Sequence, residues 1–99
     1  MDRSETLAAL RRGDLGGARE LRLPDGLTAV PDEVFALADT LEVLDLGRGI
    51  LSDLPDDFGR LHRLRVLFCS GNPFPRLPPV LGACPALSQL GFRGCGIRE

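Results

Sequence analysis

Residues 41–63 read LEVLDLGRGILSDLPDDFGRLHR, and residues 64–86 read LRVLFCSGNPFPRLPPVLGACPA. The two stretches are each 23 residues long and align without a gap: Leu41 on Leu64, Leu44 on Leu67, Leu54 on Leu77 and Pro55 on Pro78. A further step of 23 brings Leu87 and Leu90 into line in LSQLGFRGCGIRE, residues 87–99. Upstream, residues 18–40 form a degenerate unit, ARELRLPDGLTAVPDEVFALADT, with Leu21 and Leu23 matching Leu44 and Leu46. It is one residue short before Val30-Pro31 and one long after it. A fixed period of this length marks a chain of stacked supersecondary units, with length changes falling on loops.

The spacing inside each unit has a physical reason. The fourth and sixth positions of LxxLxL alternate with outward residues, as a strand requires. Leu21/Leu23, Leu44/Leu46, Leu67/Cys69 and Leu90/Phe92 are therefore expected to point inward. A strand this short cannot bury its apolar face alone, and parallel stacking of successive units builds one continuous core. The second half, LPxxFxxL or LPxxLxxC, returns the chain on the opposite side. Pro55 and Pro78 fix φ and discourage a strand there. Phe58/Leu61 and Leu81/Cys84 stand three apart, which suits a short helical turn facing the core.

With these residues in view, the units resemble the leucine-rich-repeat family, in the subclass whose repeats end LPxxLxxL. The resemblance runs from Ala18 to Glu99. It implies an α/β solenoid: a short parallel β-sheet on the concave face, helical or 3-10 turns on the convex side, and units at 18–40, 41–63, 64–86 and a truncated 87–99. The family usually places Asn at the ninth position, where side-chain amides ladder to backbone groups. Here that position holds Gly26, Gly49, Asn72 and Cys95. Glycine's permissive backbone is expected to hold the turns instead, with lower local stability at Gly47-Arg48-Gly49. Cys95 offers a weak S–H donor in the place of the amide.

Residues 1–17 read as a cap for the open end of the first unit. Ser4 suits an N-cap, Glu5 the first turn, Arg11 and Arg12 the last, and Gly13 the left-handed stop, so a helix is expected over 4–12. The sequence stops midway through a unit, without the LPxxLxxL half. A fragment of a longer bacterial array is the expectation, with self-association through the open C-terminal edge. A partner subunit covering that edge is the alternative.

Composition narrows the function. Formal net charge is −2, and all twelve basic residues are Arg, so no excess of clustered cations marks a nucleic-acid footprint. No run approaches the length of a membrane span, and MDRSETLAALRRGD is not a secretory leader. Three scattered cysteines do not make a disulfide framework, which points to the cytoplasm. There is no Trp or Tyr and only five Phe, so aromatic anchors are scarce.

The outward residues of the strands tile the concave face. Those expected to contact a protein partner are Arg22, Val43, Asp45, Val66, Phe68, Ser70, Gln89 and Arg93. Phe68 is the one aromatic placed outward there, either as an anchor for a partner's apolar group or as core if the register slips. Arg22 and Asp45 read as a cross-strand pair or as a polar recognition spot. No cofactor or metal is implied. His62 is the single histidine, without a spaced second ligand. Asp53, Asp56 and Asp57 flank Pro55 on a solvated turn, and the glycine-rich stretches lack the Lys-Ser/Thr ending of a phosphate loop. The expected role is a non-catalytic protein-interaction module. The alternative is the N-terminal recognition region of a larger enzyme, such as a bacterial leucine-rich-repeat kinase.

Overall fold

The 23-residue step becomes a sheet in register. A computed structural model describes residues 2–95. Four three-residue strands, β1 (Glu20–Arg22), β2 (Val43–Asp45), β3 (Val66–Phe68) and β4 (Gln89–Gly91), pair in parallel in chain order. Leu21, Leu44, Leu67 and Leu90 stand opposite one another from strand to strand. Backbone bonds extend the ladder past the strand ends, among them Leu23 N–H to Asp45 O at 2.8 Å and Cys69 N–H to Gly91 O at 2.7 Å.

Each return half forms a 3-10 turn, at Asp32–Leu37, Asp56–Arg60 and Pro79–Ala83. A proline precedes each as N-cap, with extended φ/ψ, which matches proline's fixed φ. The core lies between sheet and turns. Leu21, Leu44 and Leu67 from the strands meet Val34, Phe58 and Leu61 from the returns, all at 0–1% exposure. Phe35 and Phe58 pack edge to face with centroids 6.5 Å apart, and Phe74 and Phe92 do so at 5.2 Å. The length changes in the first unit are absorbed in its turn: Leu27 is buried there, as Leu51 and Phe74 are in the next two units.

Helix α1 (Arg3–Arg11) covers the first unit and contacts both β1 and the turn at Asp32–Leu37. Leu10 is buried against the core. The helix begins one residue earlier than the sequence suggests. Asp2, not Ser4, is the N-cap: its Oδ1 accepts from the Glu5 N–H at 2.8 Å, and Glu5 Oε1 accepts from the Asp2 N–H at 3.2 Å. This reciprocal box satisfies two orphan donors, which a Ser4 cap would not. Gly13 follows the helix at φ +79°, the left-handed stop expected of it.

The ninth position departs in part from the expected permissive glycine turn. Gly26 does take a positive φ, but Gly49 does not. Gly49 is required for space, since a Cβ there would lie 2.6 Å from Leu27 O and 2.8 Å from Leu27 N. Positive φ falls instead two residues earlier, at Gly47, whose Cβ would also strike Pro24 O at 2.7 Å. Leu90, expected inward, is 45% exposed, because β4 is the last strand of the sheet among the described residues.

Candidate functional site

The concave face carries one row that combines charge, apolar surface and a depression. The register sets Arg22, Asp45, Phe68 and Gly91 side by side across β1 to β4. Arg22 projects into solvent from β1, and Asp45 and Phe68 are half-buried. Just beyond the strand ends, Gly47 turns the chain and Arg48 projects outward. Together with the start of α1 these residues enclose an open depression of about 690 Å³.

Asp45 is the electrostatic centre of the row. Its Oδ1 accepts from the Gly47 N–H at 2.8 Å, which fixes the carboxylate at the turn. Its Oδ2 lies 3.1 Å from Arg3 Nη2 and 3.8 Å from Arg22 Nη1. Arg3 also donates through Nη1 to Leu23 O at 3.2 Å, so one guanidinium ties the cap to two units. Arg22 is held more loosely, with Glu20 Oε2 at 3.9 Å on its other side. Exposed pairs of this kind contribute about 0–1 kcal/mol each, so the arrangement positions side chains more than it stabilises the fold.

Phe68 owes its pose to glycine. A Cβ on Gly91 would lie 2.7 Å from Phe68 Cδ1, so the ring leans across the next strand where no side chain blocks it. Gly71 plays the same part for Arg48, whose Cγ would lie 2.7 Å from a Cβ there. Ser70 lines the same depression. Gln89 and Arg93 are exposed towards the far edge. Val43 is half-buried in register with Val66. Val66 departs from the expectation of an outward, accessible contact: it is 8% exposed, standing between Val43 and Gln89. In the middle of a concave sheet, neighbours on both sides close over a short side chain.

Arg3, Asp2 and Arg48 were not among the residues the sequence singled out. Asp2 had a signal, the Asp-x-x-Glu spacing to Glu5. Arg3 had none, because its partner Asp45 is 42 positions away.

Above this face the turns are held by polar groups beneath it. Asn72 is 1% exposed. Its Nδ2 donates to Gly47 O at 2.8 Å and to Cys69 O at 3.0 Å, while its Oδ1 accepts from the Leu51 N–H at 3.1 Å. One unit later Cys95 takes up the position with its thiol 3.2 Å from Cys69 O. All three cysteines are free and buried. Burial, then the neighbouring Cys95 and Asp45, push the Cys69 thiol up to about 12. Burial raises Cys84 as well. Neither is poised as a thiolate nucleophile.

The remaining polar candidates do not converge. His62 Nε2 lies 3.0 Å from Asp39 Oδ1, a carboxylate that is 93% exposed. Asp53, Asp56 and Asp57 are all exposed, and Asp53 Oδ1 accepts from the Leu54 N–H. Among the described residues no group of three or more His, Cys, Asp or Glu is arranged to hold a metal ion. None of their helices is long and apolar enough to cross a membrane.

No protein-family model matches the chain, and no curated protein does. Among solved structures, a leucine-rich-repeat protein of Leptospira interrogans matches with a TM-score of 0.68 and 28% identity over 85% of this chain. The chain has the leucine-rich-repeat fold. Its repeats span 21% of the length of the Leptospira protein. The leucine-rich-repeat ectodomain of the receptor kinase SOBIR1 from Arabidopsis thaliana has a TM-score of 0.44 and 24% identity, covering 75% of this chain and 52% of that one.

Proposed function

We propose that this leucine-rich-repeat chain is a protein-interaction module that binds a segment of a partner protein on its concave face and performs no chemistry itself, whether alone or as the recognition region of a larger protein. The observation that carries the reading is the depression at which Arg3, Arg22, Arg48, Asp45 and Phe68 meet. A half-buried aromatic flanked by solvated guanidiniums is the composition of interface hot spots, where aromatic and Arg residues are enriched. The contact set is Arg22, Val43, Asp45, Phe68, Ser70, Gln89 and Arg93, with Val66 as support beneath them. Three buried free thiols fit a reducing compartment, and the cytoplasm is the proposed location.

A photo-crosslinking residue at Ser70, beside Phe68, and another at the exposed Arg76, on the loop that leads away from the sheet to the 3-10 turn at Pro79–Ala83, test the reading in cells. Crosslinks to a protein from Ser70, reduced by Phe68→Ala and absent from Arg76, are expected. Crosslinks from Arg76 alone would place the binding face away from the sheet and overturn it.

A further inference from the structure

We infer that the partner segment carries a carboxylate two or three residues away from a large apolar side chain. This rests on the concave face being the binding face and adds what that face selects. Arg22 and Phe68 occupy the same row, two strands apart. Adjacent strands lie about 4.8 Å apart, so the two present their groups roughly 10 Å from one another. An extended peptide advances about 3.3 Å per residue, so three residues span that distance, and two residues span about 6.6 Å and leave the rest to the lengths of the side chains. Phe68, braced across Gly91, supplies the apolar end.

The polar end is settled by counting donors and acceptors. The formal charges around the depression balance: Arg3, Arg22 and Arg48 against Asp2, Asp25 and Asp45. The hydrogen-bonding capacity does not. Each carboxylate is committed to a backbone N–H, Asp45 to Gly47 at 2.8 Å, Asp2 to Glu5 at 2.8 Å and Asp25 to Arg48 at 3.0 Å. Asp45 then gives its second oxygen to Arg3 at 3.1 Å and only loosely to Arg22 at 3.8 Å, beyond hydrogen-bond range. The Arg48 guanidinium has no ion pair among the described residues. A guanidinium offers five N–H donors and accepts nothing. The row therefore holds surplus donors at Arg22, with Arg48 beside it, and its own carboxylate, Asp45, has both oxygens engaged, while the exposed Asp2 and Asp25 each keep a second oxygen. A carboxylate, which accepts bidentately from Arg, fits that imbalance. Between Arg22 and Phe68 a Lys or Arg on the partner meets Asp45, whose two oxygens are already engaged.

The test pans a random-peptide display library against the protein, resynthesises the enriched peptides with a fluorophore and measures Kd by anisotropy. Enriched peptides are expected to carry Asp or Glu two or three positions from Leu, Ile, Phe or Trp. Arg22→Ala and Arg48→Ala are each expected to weaken binding about tenfold, the loss of one charged hydrogen-bonded contact. Asp45→Asn keeps the acceptor for the Gly47 N–H and releases Arg3 and Arg22, so it is expected to tighten binding. That opposite sign is beyond the reach of simple misfolding, and thermal melts of each variant check the fold. Peptides without an acid, or affinities indifferent to Arg22 and Arg48 yet lost in Phe68→Ala, overturn the carboxylate and leave the face. Affinities indifferent to all four substitutions, or no enrichment at all, overturn the face as well.

Discussion

Asn72 is the single amide in the column where the family places a ladder, and Asn72→Ala measures what that one residue holds. The side chain is 1% exposed and makes three hydrogen bonds to backbone groups, Gly47 O, Cys69 O and Leu51 N–H. A neutral buried hydrogen bond is worth about 1 kcal/mol net. Three of them, with the Cys69 carbonyl still reached by the Cys95 thiol at 3.2 Å, set the expected loss at about 3 kcal/mol. A domain of this size has a total stability of roughly 5–15 kcal/mol, and such a loss lowers Tm by about 12–24 °C. Guanidinium melts followed by far-ultraviolet circular dichroism give the free energy, provided the slope is unchanged between variants. Two companions sharpen the result. Asn72→Asp keeps the acceptor for Leu51 but turns a charged oxygen towards two carbonyls, so it is expected to be worse than alanine at neutral pH and to recover as the pH falls. Asn72→Cys supplies one S–H, as Cys95 does in the next unit, and is expected to lie between alanine and the parent. A loss below about 1 kcal/mol in Asn72→Ala would show that water or the glycine turns replace the amide, and would refute the idea that this residue ties the two units.

Gly49→Ala tests crowding against backbone entropy. Such a change at a compatible site stabilises by about 0.4–1 kcal/mol, but here the new Cβ meets the Leu27 backbone at 2.6 and 2.8 Å. A loss of about 2 kcal/mol is expected, with Gly49→Asn, the family's residue, worse still; a gain in chemical-denaturation stability would refute the close approach. Alkaline titration tests the buried thiols. The sequence has no Tyr and its twelve basic residues are all Arg, so no phenol or lysine titration overlaps that of Cys69. Folding raises Cys69 from the ordinary 9.0 to about 12. A raised pKa means the folded state holds the proton more tightly, so this contribution to stability is complete below pH 9.0 and is lost as the pH climbs towards about 12. Melting temperatures should be level from pH 7 to 9 and fall above; an identical fall in Cys69→Ala would assign the effect elsewhere.

The parts of this fold that repeat were legible because one residue's environment is reproduced 23 positions later. Leu21, Leu44 and Leu67 could be aligned, their strands paired and their inward face named without any knowledge of partners across the core. The 3-10 turns after Pro55 and Pro78 followed from proline and a spacing of three. What depended on departures from the repeat was read less well. In the sequence Gly49 reads as a turn residue with a permissive backbone, whereas the space it leaves is filled by the Leu27 backbone of the unit before. Val66 was placed outward by strand parity, which is correct about direction but silent on whether neighbours cover the side chain. At the cap, Asp2 and Ser4 are both good N-cap residues, and the choice turned on Glu5 standing three residues after the first.

The candidate site lies where the repeat and the cap meet, and this explains why its composition could be read only in part. Arg22, Asp45 and Phe68 share a row because of the period, so their proximity follows from the alignment alone. Their chemistry does not. Arg22 facing Asp45 in isolation is a self-satisfied cross-strand pair with nothing to offer a ligand. Arg3, arriving from α1 at 3.1 Å, takes the Asp45 oxygen that Arg22 would otherwise hold and leaves Arg22 at 3.8 Å. The cap thereby leaves donors of Arg22 free beside an aromatic ring without changing the balance of charge. If that is so, Arg3→Ala acts against intuition: removing a cation lets Arg22 close on Asp45 and should weaken capture of an acidic peptide, although Arg3 need not touch it. A charge-only account predicts the same sign for Arg3→Ala but also for Asp45→Asn in reverse, so the two accounts part on the double variant. With Asp45 already Asn, Arg3→Ala should lose most of its effect if Arg3 works through Asp45, and keep it in full if its charge acts directly.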